Sequence, residues 1–135
     1  MLHNDNPTAA KAWKKLEEHA KQLQPQHLRD LFKADPQRFQ KFSFEVDGTL
    51  YDFSKNRITE ETLSLLTELA EEMQVPSAID SMLRGEKINA TEGRAVLHTA
   101  LRNFTDQELI VEGENVLEEV RDVQRQMKDF CDRLH

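Results

Sequence analysis

The chain has 135 residues, 38% of them hydrophobic and 32% charged, and a formal net charge of -7, which suits one acidic domain with a modest core. Its Lys and Arg residues are interleaved with Asp and Glu, which excludes the basic patch that nucleic acid requires, and no apolar run reaches the roughly 18 residues of a membrane span. A single cysteine, Cys131, excludes an intramolecular disulfide and fits a reducing compartment.

Residues Met1 to Pro7 are polar, unlike a secretion signal, so a cytoplasmic location is expected. Asn6 is placed to cap a helix with Pro7 at its first position. Ala9, Trp13, Leu16, Ala20 and Leu23 then recur at four, three, four and three, predicting one buried stripe. Pro25 interrupts it. Leu28, Leu31 and Phe32 predict a short second helix before an Asp35-Pro36 turn, with Phe39 and Phe42 as anchors.

From 42 to 53 the pattern changes to period two. Phe42-Ser43-Phe44-Glu45-Val46 alternates, Asp47-Gly48 signals a tight turn, and Thr49-Leu50-Tyr51-Asp52-Phe53 carries strand formers. This predicts one β-hairpin, which needs further structure to pack against.

Thr59 is placed to cap the next helix, with Glu60 and Glu61 in its first turn and Leu63, Leu66, Ala70 and Met73 as its stripe, widened by Leu65 and Leu69. Pro76 restarts a short helix through Ile79, Met82 and Leu83, which Gly85 ends in a left-handed conformation. After a polar loop, Thr91 is expected to cap a helix carrying Val96, Leu97, Ala100 and Leu101. Leu109-Ile110-Val111 is too short to classify by period, and Gly113 punctuates it. The last helix is the clearest: Val116, Val120, Val123, Met127, Phe130 and Leu134 repeat at four, three, four, three and four, a seam suited to another helix. No Gly, Asn or Pro follows Leu134, so the expectation is a single helical region, 1–135, cut from something longer.

The residues yield no catalytic, cofactor-binding or metal-binding set. Glu45-Val46-Asp47-Gly48-Thr49-Leu50-Tyr51-Asp52 superficially resembles the first motif of haloacid-dehalogenase-like phosphatases, but Glu45 stands at the nucleophile position and is a methylene too long. That superfamily also needs a parallel sheet with crossover helices, so the hairpin turn is preferred. Gly85 and Gly93 lack the companion glycines of a nucleotide loop. His3, His19, His27, His98 and His135 show no zinc-ligand spacing with one another or with Cys131. Cys131 is read as inert, since no His or basic cluster lies beside it. His98, between Val96, Leu97 and Ala100, reads as a hydrogen-bonded structural histidine. Glu60-Glu61 and Glu118-Glu119 read as solvated faces, because adjacent helix positions diverge. Lys87 and Arg94 read as ion-pairing cations in preference to a phosphate clamp, with Glu86 and Glu92 nearby.

Two longer stretches are more specific. Asp52-Phe53-Ser54-Lys55-Asn56-Arg57-Ile58-Thr59-Glu60-Glu61-Thr62-Leu63 and Gly85-Glu86-Lys87-Ile88-Asn89-Ala90-Thr91-Glu92-Gly93-Arg94-Ala95-Val96-Leu97-His98 resemble segments near the amino end of glucose-6-phosphate isomerases, in that family's order and spacing. Leu31-Phe32, Arg38-Phe39 and Phe42-Ser43 ahead of them, and Ala100-Leu101-Arg102-Asn103 behind, fit the same family. Phe53 departs from the family's usual Tyr, and Phe104-Thr105-Asp106 replaces a more basic segment.

The resemblance implies a cytosolic homodimer that interconverts glucose 6-phosphate and fructose 6-phosphate through an enediol, with no metal or redox cofactor. It also implies that the catalytic groups lie downstream of the matched part, in two α/β sugar-isomerase subdomains, so no site residue is carried onto this chain. The chain is then expected to be mostly α with one small β-hairpin, inactive by itself, and to lean on the remainder of its own polypeptide. The competing reading is a stand-alone helical module that uses the Val116 to Leu134 stripe to bind a partner helix.

Overall fold

The computed structural model describes residues 6–103, 105 and 107–134. The described residues up to Met73 make one compact unit and those from Gln74 onward make another. The protein is mostly α-helical with small antiparallel hairpins.

In the first unit Asn6 caps only a 3₁₀ turn, Pro7–Ala9, through its side chain and the Thr8 N–H at 3.1 Å. Helix α1 is Lys11–Leu23, and Ala10 at its N-cap has no side chain to offer. The orphan donors of that first turn are met from α4 (Glu60–Glu72) instead. The Glu72 carboxylate accepts from the backbone N–H of Lys11 at 2.9 Å and of Ala12 at 2.8 Å. Helix α1 buries Ala12, His19 and Leu23, with Trp13 and Leu16 half-buried. Ala20, placed on the predicted stripe, is exposed. The buried face is thus turned to include a histidine that an apolar count omits.

Helices α2 (Leu28–Ala34) and α3 (Arg38–Lys41) lead into strands β1 (Ser43–Val46) and β2 (Thr49–Asp52). The register pairs Phe44 with Tyr51 and Val46 with Thr49. Asp47 and Gly48 have φ of 47° and 73°, the left-handed pair that a two-residue hairpin turn requires. Phe42 is buried, whereas Phe39, the other expected anchor, is largely exposed. Buried Arg38 fixes the loop after β2. Its guanidinium donates to the carbonyls of Ser54, Asn56 and Ile58 at 3.0 to 3.3 Å and lies over the rings of Phe32 and Phe42.

Helix α4 opens as expected on Thr59, in a capping box with Thr62. Its inward face carries Thr62, Leu65, Leu69 and Ala70, while Leu63 and Leu66 of the predicted stripe are exposed.

In the second unit α5 is Val75–Leu83, with Pro76 in its first turn and Gly85 past its end at φ 74°. The helix expected from Thr91 does not form. Residues 89–94 make a closed turn in which Asn89 and Arg94 bridge, the Gly93 N–H bonds the Asn89 carbonyl at 2.8 Å, and Gly93 sits at φ 65°. A left-handed glycine and an Asn side chain bonded to local backbone compete successfully with the helix there. Only a 3₁₀ turn, Ala100–Arg102, follows. The segment around Gly113 proves to be a second small hairpin, β3 (Ile110–Val111) with β4 (Glu114–Asn115), turned by Glu112 and Gly113 at φ 54° and 89°. Helix α6, Val116–Leu134, is continuous as predicted. Its most buried side chain is Leu117, which lies off the predicted seam.

Candidate functional site

Each candidate from the sequence has a definite place. Lys87 is ion-paired with Glu112 of the β3–β4 turn, and Arg94 with Glu92, so both cations serve local structure. His98 is exposed, and its backbone carbonyl accepts from Arg102 at 2.9 Å. Lys87, Arg94 and His98 nevertheless line one open cavity of about 640 Å³, together with Val111, Val116 and Val120. Cys131 is exposed. Glu45 and Asp52 both lie on the β1–β2 hairpin, so the phosphatase-like motif is an ordinary turn. Phe104 and Asp106, part of the departure noted above, lie outside the described residues, as do His3 and His135.

Sequence reasoning did not single out the most chemically arranged group, which gathers at the start of α4. Buried His19 places Nε2 2.7 Å from Thr62 Oγ1 and 3.5 Å from Thr59 Oγ1. Among the described residues its Nδ1 has no hydrogen-bond partner, and it lies 3.6 Å from Glu61 Oε2. The order carboxylate, imidazole, hydroxyl superficially suggests a nucleophile relay. Thr62 is committed elsewhere, however. Its hydroxyl accepts the Thr59 N–H at 2.9 Å, closing the capping box, and Thr62 is itself buried. The group therefore ties α1 to the first turn of α4. Its signal in the sequence was a histidine four residues before Leu23 on a helical face, opposite a Thr-x-x-Thr cap.

Among the described residues no three His, Cys, Asp or Glu side chains gather closely enough to hold a metal ion. None of their helices is long and apolar enough to cross a membrane.

The sequence profile of the phosphoglucose isomerase family matches residues 52–135. The chain belongs to that family. Both long motifs, 52–63 and 85–98, fall inside the matched region. A glucose-6-phosphate isomerase from Christiangramia forsetii is 46% identical over 133 residues, or 98% of this chain. The chain spans 24% of the length of that phosphoglucose isomerase relative. The stand-alone module reading gains no support from either comparison. Membership gives the local geometry a sense: the 85–98 motif is a tight turn held by Asn89 and Gly93, and the 52–63 motif is the Arg38-bound loop plus the α4 cap.

Proposed function

We propose that these 135 residues form the amino-terminal helical part of a glucose-6-phosphate isomerase, an aldose–ketose isomerase that interconverts glucose 6-phosphate and fructose 6-phosphate in glycolysis and gluconeogenesis. The observation that carries this reading is 46% identity along 98% of the chain to an isomerase of which it spans 24%. The reaction needs a carboxylate to move a proton between adjacent carbons, cationic groups to open the ring and a Ser/Thr-rich loop to hold the phosphate. The resemblance assigns these groups to the downstream sugar-isomerase subdomains, and every candidate described above is engaged locally or stands alone. The whole protein is proposed to be a cytoplasmic homodimer acting without metal or cofactor, with no nucleic acid or membrane partner. The acidic, interleaved surface and the lone cysteine support that setting.

The test is a coupled assay for fructose 6-phosphate formation, using chain purified from a host without its own isomerase. The chain by itself is expected to give the background rate, while a chimera in which it replaces the matching part of the relative is expected to turn over. A rate that scales with the isolated chain, or a folded but inactive chimera, would overturn the proposal.

A further inference from the structure

Among the described residues, His19 Nδ1 is the one buried side-chain nitrogen or oxygen without a hydrogen-bond partner. The protons around it can be counted. The Thr62 hydroxyl oxygen accepts the Thr59 N–H at 2.9 Å, and it lies 2.7 Å from His19 Nε2 and 3.2 Å from Thr59 Oγ1. Thr59 Oγ1 in turn accepts the Thr62 N–H at 3.3 Å. Each hydroxyl has one proton to give and two lone pairs to fill, so a neutral imidazole leaves two arrangements open.

In the first, the Thr62 O–H donates to Nε2, the Thr59 O–H donates to Thr62 Oγ1, and the ring carries its hydrogen on Nδ1. Every hydroxyl proton then has an acceptor. In the second, the Nε2–H donates to Thr62 Oγ1, whose own proton turns to Thr59 Oγ1. The Thr59 hydroxyl proton is then left without an acceptor inside the group, and Nδ1 presents a bare lone pair. What Nδ1 faces decides between them. It faces a carboxylate, Glu61 Oε2 at 3.6 Å, while the neighbouring Glu60 is directed to Lys41. A lone pair set against that negative charge is repelled, whereas an N–H is attracted, and a ring tautomer follows the bond its other nitrogen makes.

We propose that Glu61 is a latch poised over α1: His19 is held as the Nδ1–H tautomer, and the Glu61 carboxylate swings in to accept that proton, locking α1 onto the first turn of α4. The carboxylate has to close by about 0.8 Å to make a charge-assisted hydrogen bond. Its side chain is 69% exposed and free to move, while the imidazole, 7% exposed, is fixed by Thr62. With the latch open a buried donor goes unmet, which favours closure. The inference goes beyond the isomerase reading and does not depend on it.

The test is NMR of the 135-residue chain with isotope-labelled histidine, the His19 signals being assigned by their loss in His19→Gln. In the neutral ring Nδ1 is expected to show the signature of the protonated nitrogen and Nε2 that of the bare one, with the Nδ1 proton protected from exchange with water. Glu61→Ala, at an exposed position, should lower the excess of the Nδ1–H form about threefold or more and speed the exchange of that proton, the yield of a partly exposed charge-assisted contact. An Nε2–H tautomer in the unaltered chain would overturn the proposal. So would a tautomer ratio and a proton exchange rate that Glu61→Ala leaves unchanged.

Discussion

Arg38 shows how much one side chain can organise. It is 3% exposed, has no carboxylate partner within ion-pairing distance among the described residues, and uses its guanidinium fork to gather three carbonyls of a loop with little regular structure. Lysine offers a compact ammonium without the fork, so Arg38→Lys should cost about 2 kcal/mol and Arg38→Ala about 3 kcal/mol or more. Both are readable as a lower urea midpoint for the first unit through the fluorescence of Trp13, the chain's one tryptophan. A midpoint unchanged in Arg38→Ala would show that the loop holds its shape without the cage. Gly85 is the corresponding pivot in the second unit. A Cβ there would meet Val111 Cγ2 at 2.7 Å on a backbone already at φ 74°. Gly85→Ala therefore combines left-handed strain with overpacking against a stiff β-branched side chain, and should lower stability by about 2 kcal/mol or more. Hydrogen exchange at residues 109–111 should accelerate with it.

Among the elements, α1 and α4 are joined at both ends, by His19 with Thr62 at one and by Glu72 with the first turn of α1 at the other. The backbone N–H groups of Ala12 and then Lys11 hold the Glu72 carboxyl below its ordinary value, with Lys11 and Lys15 adding a smaller attraction. A carboxylate with a depressed folded pKa contributes stability above its unfolded pKa, about 4.3, and loses it as the pH falls through the folded value. Acidification from about pH 6 to about pH 3 should therefore loosen the start of α1. Glu72→Gln should be less stable than the unaltered chain at neutral pH, with the difference shrinking in acid. Trp13 emission reports this, and a gap that stays constant across the range would sink the account. The same pair of helices explains which parts of the pattern were legible. Helix existence, the Thr59 cap and the Pro76 and Gly85 boundaries were readable because each is a local preference of one or two residues. The buried faces were not. Counting apolar side chains put Ala20 and Leu63 inside, whereas packing selected His19 and Thr62, whose mutual hydrogen bond no single-helix pattern reveals.

For the molecule as a whole, composition and periodicity sufficed for a mostly helical, acidic protein with a hairpin at the Asp47-Gly48 turn. They failed between 89 and 115, where short-range turns decide the path. Gly93 and Gly113 both take positive φ, but the first closes on the single Asn89–Arg94 bridge, whereas the second joins two short strands paired as a hairpin. A candidate site was equally hard to see from either side. Lys87 and Arg94 stood out as cations, yet each is neutralised by a carboxylate, Glu112 in one case coming from a turn whose proximity the sequence does not announce. What identified the family was the extended motifs, whose residues now appear as turn, cap and loop-binding partners.

The dependence of α1 on Glu72 reaches into how the polypeptide acquires its structure. The donors at Lys11 and Ala12 wait for an acceptor about sixty positions further along, so on a ribosome they would leave the exit tunnel well before the group that completes them. A segment synthesised early is thereby settled late, and until α4 arrives the opening turn of α1 is free to fray.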